Sequence, residues 1–340
     1  MNIPQNHIAL LMEFGYTEPE AQFLYVVATH SGYFTLRQFL HFTGAHRGKR
    51  STQFARKTLN NGHASVRDYM GYGAIYHLFS RTFYGPIEKD NLRNRRKHSF
   101  EFIRTRLVLL DFILANRHLD YFETEQDKVA FFCEKLGIAK DFLPARIYEG
   151  GSDSRPTIRY FVDKFPLFLT PASPVSPSVV TLSYVDSGAS TISSFVTHLG
   201  AYLALFRQIP SFRFLYIAPT DAHFQKAKER FESLVKRPME SDMSTEVLRY
   251  FAVRQRFEKR QYLVPVTEDF EFLNEAKSRF HGERFERLYQ GWVAGTVDEK
   301  EIRREFFQVE PHRKIVFETY LVAKHRSHLS EAERKQVNVA

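Results

Sequence analysis

The chain holds a single cysteine, Cys133, among its 340 residues. One thiol closes no internal disulfide and supplies too few ligands for a four-coordinate zinc site. No apolar run approaches the ~18 residues that cross a bilayer, so no membrane-spanning helix is expected. The opening MNIPQNHIALLMEFGY lacks a charged segment followed by a long apolar one, so no secretory signal is expected there. Together these absences point to a cytoplasmic protein with no membrane partner. His-Glu-x-x-His and a phosphate-binding glycine loop are also missing. Gly150-Gly151 opens no strand-to-helix cradle and reads as a linker. No metal site and no cofactor are therefore expected. The chain carries no fixed-period repeat and no low-complexity tract.

Acids are scarce in one place. Between residues 33 and 110, Lys and Arg number 15 and Asp and Glu number 4, a net +11. The remainder carries −2, so the whole excess of the +9 chain lies in this early stretch. Such asymmetry favours a polyanionic partner, nucleic acid before an acidic membrane surface. What the chain has in plenty is apolar material, 43% hydrophobic residues with 33 Phe, enough for a packed core.

Three short helical patterns open the chain. Thr17-Glu18-Pro19-Glu20 has the spacing of a capping box, followed by Ala21, Leu24, Tyr25 and Ala28 at helical intervals. Thr35-Leu36-Arg37-Gln38 is a second box, and Gly44 closes its helix. A third helix spans Ser51 to Asn60, stopped by Asn61-Gly62. Phe54, Ala55, Thr58 and Leu59 fall on one of its faces. Gln53, Arg56, Lys57 and Asn60 fall on the other, with Lys49 and Arg50 at its start. Long cationic and amide side chains are the types that contact phosphates and base edges in a major groove. Next come two β-rich segments, Ser65–Met70 and Ala74–Thr82, around the turn residues Gly71 and Gly73. Three helices followed by a hairpin is the order of a winged helix-turn-helix, whose wing would carry Arg67 and Arg81.

A basic run, Arg93, Arg95, Arg96 and Lys97, leads into a longer helix with a seam of Ile103, Leu107, Leu110 and Leu114. That seam suits dimerisation or packing within its own domain. Another helix is expected over 128–143, and a boundary near 150. Beyond it, Ile158–Asp163, Phe165–Leu169, Val179–Val185 and Phe212–Ala218 read as strands. Amphipathic helices follow Asp186 and Asp221. The order suggests a small sheet covered by helices, and residues 244–340 read as mostly helical.

The stretches GAIYHLFSRTFYG, RYFVDKFPLFL and VVTLSYVDSGASTISSFVTHLGAYLALFRQIPSFRFLYIAP carry a resemblance over about residues 15–235. In this order the chain resembles the replication-relaxation family of proteins from plasmids and other mobile elements. The resemblance implies a second domain similar to the PD-(D/E)xK nuclease fold. There, acids hold a metal ion that activates water and a lysine steadies developing charge. Asp163 would fill the first acidic position, but Tyr184 and Asp186 stand where the family pattern has Glu and Lys. A phenol is a poor metal ligand and an aspartate cannot act as a cation, so a nuclease-like scaffold without cleavage is implied.

The expected architecture is therefore α+β: a winged helix over 1–90, a helical connector over 91–150, a nuclease-like α/β domain over 151–240 and a helical extension over 241–340. The expected function is sequence-specific binding of double-stranded DNA, regulating transcription, replication or transfer of a mobile element. Lys49, Arg50, Gln53, Arg56, Lys57 and Asn60 would read the groove. Arg67, Arg81, Arg93, Arg95, Arg96 and Lys97 would hold the backbone. A homodimer is expected because one winged helix reads few base pairs, and the C-terminal half would offer a surface for a protein partner. Two alternatives stand beside this: a metal-dependent nuclease using Asp163 and Asp186, and an adaptor in a nucleoprotein assembly.

Overall fold

The computed structural model describes residues 3–46, 48–69, 71, 73–148, 157–170, 178–236, 243–261, 267–280, 282–306 and 314–322. The linker at Gly150-Ser152, the loop of Pro171, Pro174 and Pro177 and the final tail lie outside them. The protein is a mixture of helices and sheets. Among the described residues no helix is long and apolar enough to cross a membrane.

Helices α1 (Gln5–Met12) and α2 (Glu18–His30) come first. The backbone N–H of Thr17 donates to Glu20 at 2.8 Å, satisfying a donor at the start of α2. Gly32 then takes a left-handed turn (φ +78°) into the two-residue strand β1 (Tyr33–Phe34). Helix α3 (Leu36–Thr43) is capped reciprocally by Thr35 and Gln38. Helix α4 (Lys49–Asn60) leads into the hairpin β2 (Ala64–Tyr69) and β3 (Gly73–Leu78). These strands make an antiparallel sheet in the order β1-β3-β2. The second strand ends sooner than Thr82: its ladder stops at Leu78, and Arg81 begins the short helix α5 (Arg81–Tyr84).

A single turn at Arg93–Arg95 precedes α6 (Phe100–Ala115), whose N-cap Ser99 accepts from the N–H of Phe102. Then follow β4 (Asp120–Tyr121), α7 (Glu125–Ala130), the hairpin β5 (Ala145–Tyr148) and β6 (Thr157–Tyr160), and β7 (Phe168–Thr170). The helix expected over 128–143 is instead the end of α7, a wide turn at Phe131–Lys135 and a tight one at Lys140–Phe142. The expected strand Ile158–Asp163 stops at Tyr160, because it pairs with β5 and not with the main sheet.

The main sheet is completed by β8 (Val179–Val185), β9 (Ser211–Ala218) and β10 (Lys314–Leu321). Its order is β10-β9-β8-β7-β4, with β8, β9 and β10 parallel. Helix α8 (Ile192–Gln208) is the crossover between β8 and β9, and α9 (Phe224–Phe231) follows β9. All but the first residue of β8 are buried, as both faces of a covered parallel strand should be. Strand β10 lies inside the stretch expected to be helical, and it is held by eight consecutive register partners on β9.

The chain forms two compact units, residues 1–231 with 314–340, and residues 232–313. One core runs through the first unit, taking Phe54 and Leu78 from the N-terminal elements, Leu110 from α6 and Phe168 and Ile217 from the main sheet. It takes residues from both sides of positions 90 and 150. Helix α6 touches α2, α3, β1, β8 and β9, so its seam of Ile103, Leu107, Leu110 and Leu114 is buried within its own unit and cannot serve a dimer. The second unit, inserted in sequence between β9 and β10, contains α10 (Met243–Glu258), α11 (Thr267–Arg279), α12 (Glu283–Val293) and α13 (Glu299–Phe306). They close around Val247, Phe251, Leu273, Tyr289 and Ile302.

Candidate nucleic-acid interface

Helix α4 is divided cleanly into two faces. Ser51, Phe54, Ala55 and Thr58 are buried. The Phe54 ring stacks on Phe39 with centroids 3.9 Å apart and touches Phe23 and Phe34. That apolar anchor fixes how the helix is rotated. Lys49, Gln53, Arg56 and Asn60 then recur along the opposite side at helical spacing, flanked by Arg50, and all five are exposed.

The helix contains no acid, and its first turn carries Lys49 and Arg50. The positive end of a helix dipole favours anions there, so two cations at that end concede stability unless an anion answers them.

Lys57 departs from this set. Its ammonium pairs with Glu20 at 2.5 Å and lies over the Tyr16 ring, so it ties α4 to α2. The carboxylate it meets is buried. His63, next to the hairpin, is likewise buried, with Nδ1 2.8 Å from the Tyr16 hydroxyl, and burial lowers its pKa. His41 and His46 remain exposed.

The hairpin and the basic run are placed differently from α4. On one face of the small sheet, Phe34, Tyr76 and Leu78 join the core that holds Phe54. On the other, Tyr33 and Ile75 pack against Ile103 and Leu107 of α6. Register sets Arg67 opposite Ile75, so alternation directs the exposed Arg67 toward the α6 face and Asp68 toward the α4 face. Arg81 is exposed at the start of α5, outside the hairpin. In the basic run, Arg93 donates to the Tyr148 hydroxyl at 2.8 Å and stacks over that ring. Arg95 donates to the carbonyls of Phe79 and Asp90. Arg96 and Lys97 are exposed. The twelve sequence candidates thus divide into a coherent α4 stripe, outlying exposed cations (Arg67, Arg81, Arg96, Lys97) and three with structural partners (Lys57, Arg93, Arg95).

The two acids of the nuclease alternative each have their own partners. Asp163 lies in the turn after β6, where one oxygen accepts from the Tyr202 hydroxyl at 2.8 Å and meets His198 at 3.3 Å. Its other oxygen accepts from the N–H of Phe165. Burial alone would raise its pKa, but the His198 hydrogen bond and nearby positive charge outweigh that and bring it to about 2. Asp186, just past β8, accepts from Tyr216 at 2.7 Å, meets His223 at 3.0 Å and takes the N–H of Gly188. Among the described residues no group of three or more His, Cys, Asp or Glu could hold a metal ion.

In comparison with known proteins, no family model, no curated protein and no solved structure gives a significant match to the chain.

Sequence reasoning passed over a set of buried cations. Arg106 is 1% exposed, and its guanidinium donates to the carbonyls of Asp163 and Lys164 at 3.1 Å. Burial lowers its pKa to about 10. Lys128 donates to the carbonyl of Phe165, and burial lowers its pKa to about 8. Nothing in the local sequence signals this, because the partners come from segments far apart in the chain.

Proposed function

We propose that the protein binds double-stranded DNA, with α4 as the element that enters the major groove. The order α2-β1-α3-α4-β2-β3 with strand order β1-β3-β2 suits a winged helix-turn-helix, in which the last helix reads base edges. The observation that carries the proposal is the α4 stripe: Lys49, Arg50, Gln53, Arg56 and Asn60 exposed on an acid-free helix whose rotation is fixed by Phe54. Arg and Lys suit phosphates and guanine, and Gln and Asn suit adenine. Arg67 and the other exposed cations would add backbone contacts. On its resemblance to the replication-relaxation family we extend the proposal to control of transcription, replication or transfer of a mobile element. One helix reads few base pairs, so two copies acting on a two-fold site fit sequence-specific control.

Selection from a random duplex library tests this. Recurrent enrichment of a short motif, lost on Arg56→Ala, is expected. Enrichment of nothing, or equal retention of RNA and an acidic polypeptide, would refute it.

A further inference from the structure

A cavity of about 890 Å³ opens among the end of α2, the 88–96 segment, the stretch from β4 into α7 and the turn between β6 and β7. That size suits a small-molecule site. Six cations line it: Lys89, Arg93, Arg96, Lys128, Arg159 and Lys164. Glu88, Glu123 and Glu125 are the acids of the lining. Two of these are committed, Glu123 to Lys89 at 2.8 Å and Glu125 to Arg159 at 3.3 Å. Among the described residues Arg93, Arg96, Lys128 and Lys164 ion-pair with no carboxylate. Three of them rest on neutral acceptors instead: the Tyr148 hydroxyl, the Phe165 carbonyl and the Asn94 side chain.

Two further observations bear on the same place. Nε2 of His30, another lining residue, is buried without a hydrogen-bond partner. Of the four non-glycine residues with left-handed backbone among the described residues, Glu88, Phe161 and Lys164 (φ +56°, +48° and +55°) all line this cavity. Such conformations are strained for side-chain-bearing residues and collect where a site must be shaped.

We propose that this cavity binds a small phosphate-bearing ligand of nucleotide size, with Arg93, Arg96, Lys128 and Lys164 receiving the phosphates and the Tyr148 and Tyr160 rings lining the remainder. Clustered, incompletely neutralised cations in a semi-enclosed space bind phosphate through charge-assisted hydrogen bonds. The electrostatics agree. Burial, with the positive charge of Arg106, Lys128, Arg93 and Arg159, lowers the Lys164 pKa to about 6. Its other neighbours are neutral Asn94 and the carboxylate of adjacent Asp163, while Lys89, Arg96, His30 and the three glutamates complete the lining. An anion seated among these groups reverses the repulsion, and Lys164 then takes up a proton on binding at about pH 7.5.

Calorimetric titration of the full chain with inorganic pyrophosphate and with nucleoside triphosphates, in two buffers of different ionisation enthalpy, tests the site. Saturable one-to-one binding with proton uptake is expected. Lys164→Met should weaken it by about tenfold or more and reduce the uptake to the smaller share that Lys128 supplies, while Lys49→Ala/Arg50→Ala/Arg56→Ala leaves both intact. Should Lys164→Met fail to fold, Arg96→Gln decides, since that side chain is exposed and belongs to the phosphate-receiving set: weaker binding supports the site and unchanged binding overturns it. Absence of saturable binding, or binding lost only with the α4 variant, also overturns it. A short duplex carrying a terminal phosphate distinguishes sources: competition by it at the Lys164-dependent site would assign the cavity to a DNA end and overturn the small-ligand proposal.

Discussion

Replacing Lys49, Arg50 and Arg56 together with alanine removes three of the exposed charges from α4 and leaves its anchoring face of Phe54, Ala55 and Thr58 untouched. Each cation that neutralises a phosphate contributes about 0.9 to the slope of log affinity against log salt, so the variant should lose about 2.7 from that slope. A fourfold rise in salt, from about 50 to about 200 mM, then costs the native protein about 40-fold more affinity than it costs the variant. Fluorescence anisotropy of a labelled duplex across that range reads the difference. Folding should survive, because alanine favours helix and two of the removed charges oppose the helix dipole. Lys57→Met is the matched control. It deletes a fourth cation from the same helix, but one that Glu20 already neutralises, so the slope should stay and stability should fall. An unchanged slope in the folded triple variant, or an equal loss in Lys57→Met, would refute the assignment of this face.

Other expectations follow from packing and charge. Phe54→Ala should cost about 3–5 kcal/mol in denaturant unfolding, since the ring is wholly buried against three other phenylalanines. Gly32→Ala should destabilise by more than about 1 kcal/mol, because φ is +78° and the added Cβ would lie 2.4 Å from the Asn94 carbonyl oxygen. Lys164 binds its proton less readily folded than unfolded, so its contribution makes stability rise with pH from about 6 toward its ordinary value. Chemical denaturation across that range should show this rise, flattened in Lys164→Met. The Asp163 carboxyl is held low, at about 2, so its contribution is complete above its ordinary range and lost as pH falls toward that value.

What could be read from the sequence was local. The capping pairs Thr17–Glu20 and Thr35–Gln38 sit three residues apart, and the structure forms both. The two faces of α4 follow from its helical period. Gly71 and Gly73 marked the hairpin turn, and both take left-handed conformations. What could not be read depends on contacts between distant segments. Glu20 captures Lys57 from 37 residues away. The α6 seam resembles a partner-seeking stripe until the small sheet covers Ile103 and Leu107 and the main core takes in Leu110 and Leu114. Strand β10 sits in a charged stretch, and only its pairing with β9, across an inserted unit of about 80 residues, makes it a strand. The cavity cations come from four segments (residues 88–96, α7, β6 and the turn after β6), and no local motif announces that they meet.

The most direct measurement is photo-cross-linking of the native protein to a bromodeoxyuridine-substituted duplex, followed by peptide mapping. Adducts on residues 49–60 are expected, diminished by added salt. Adducts confined to residues 243–306, or to the cavity lining, with none on α4, would contradict DNA recognition by this helix.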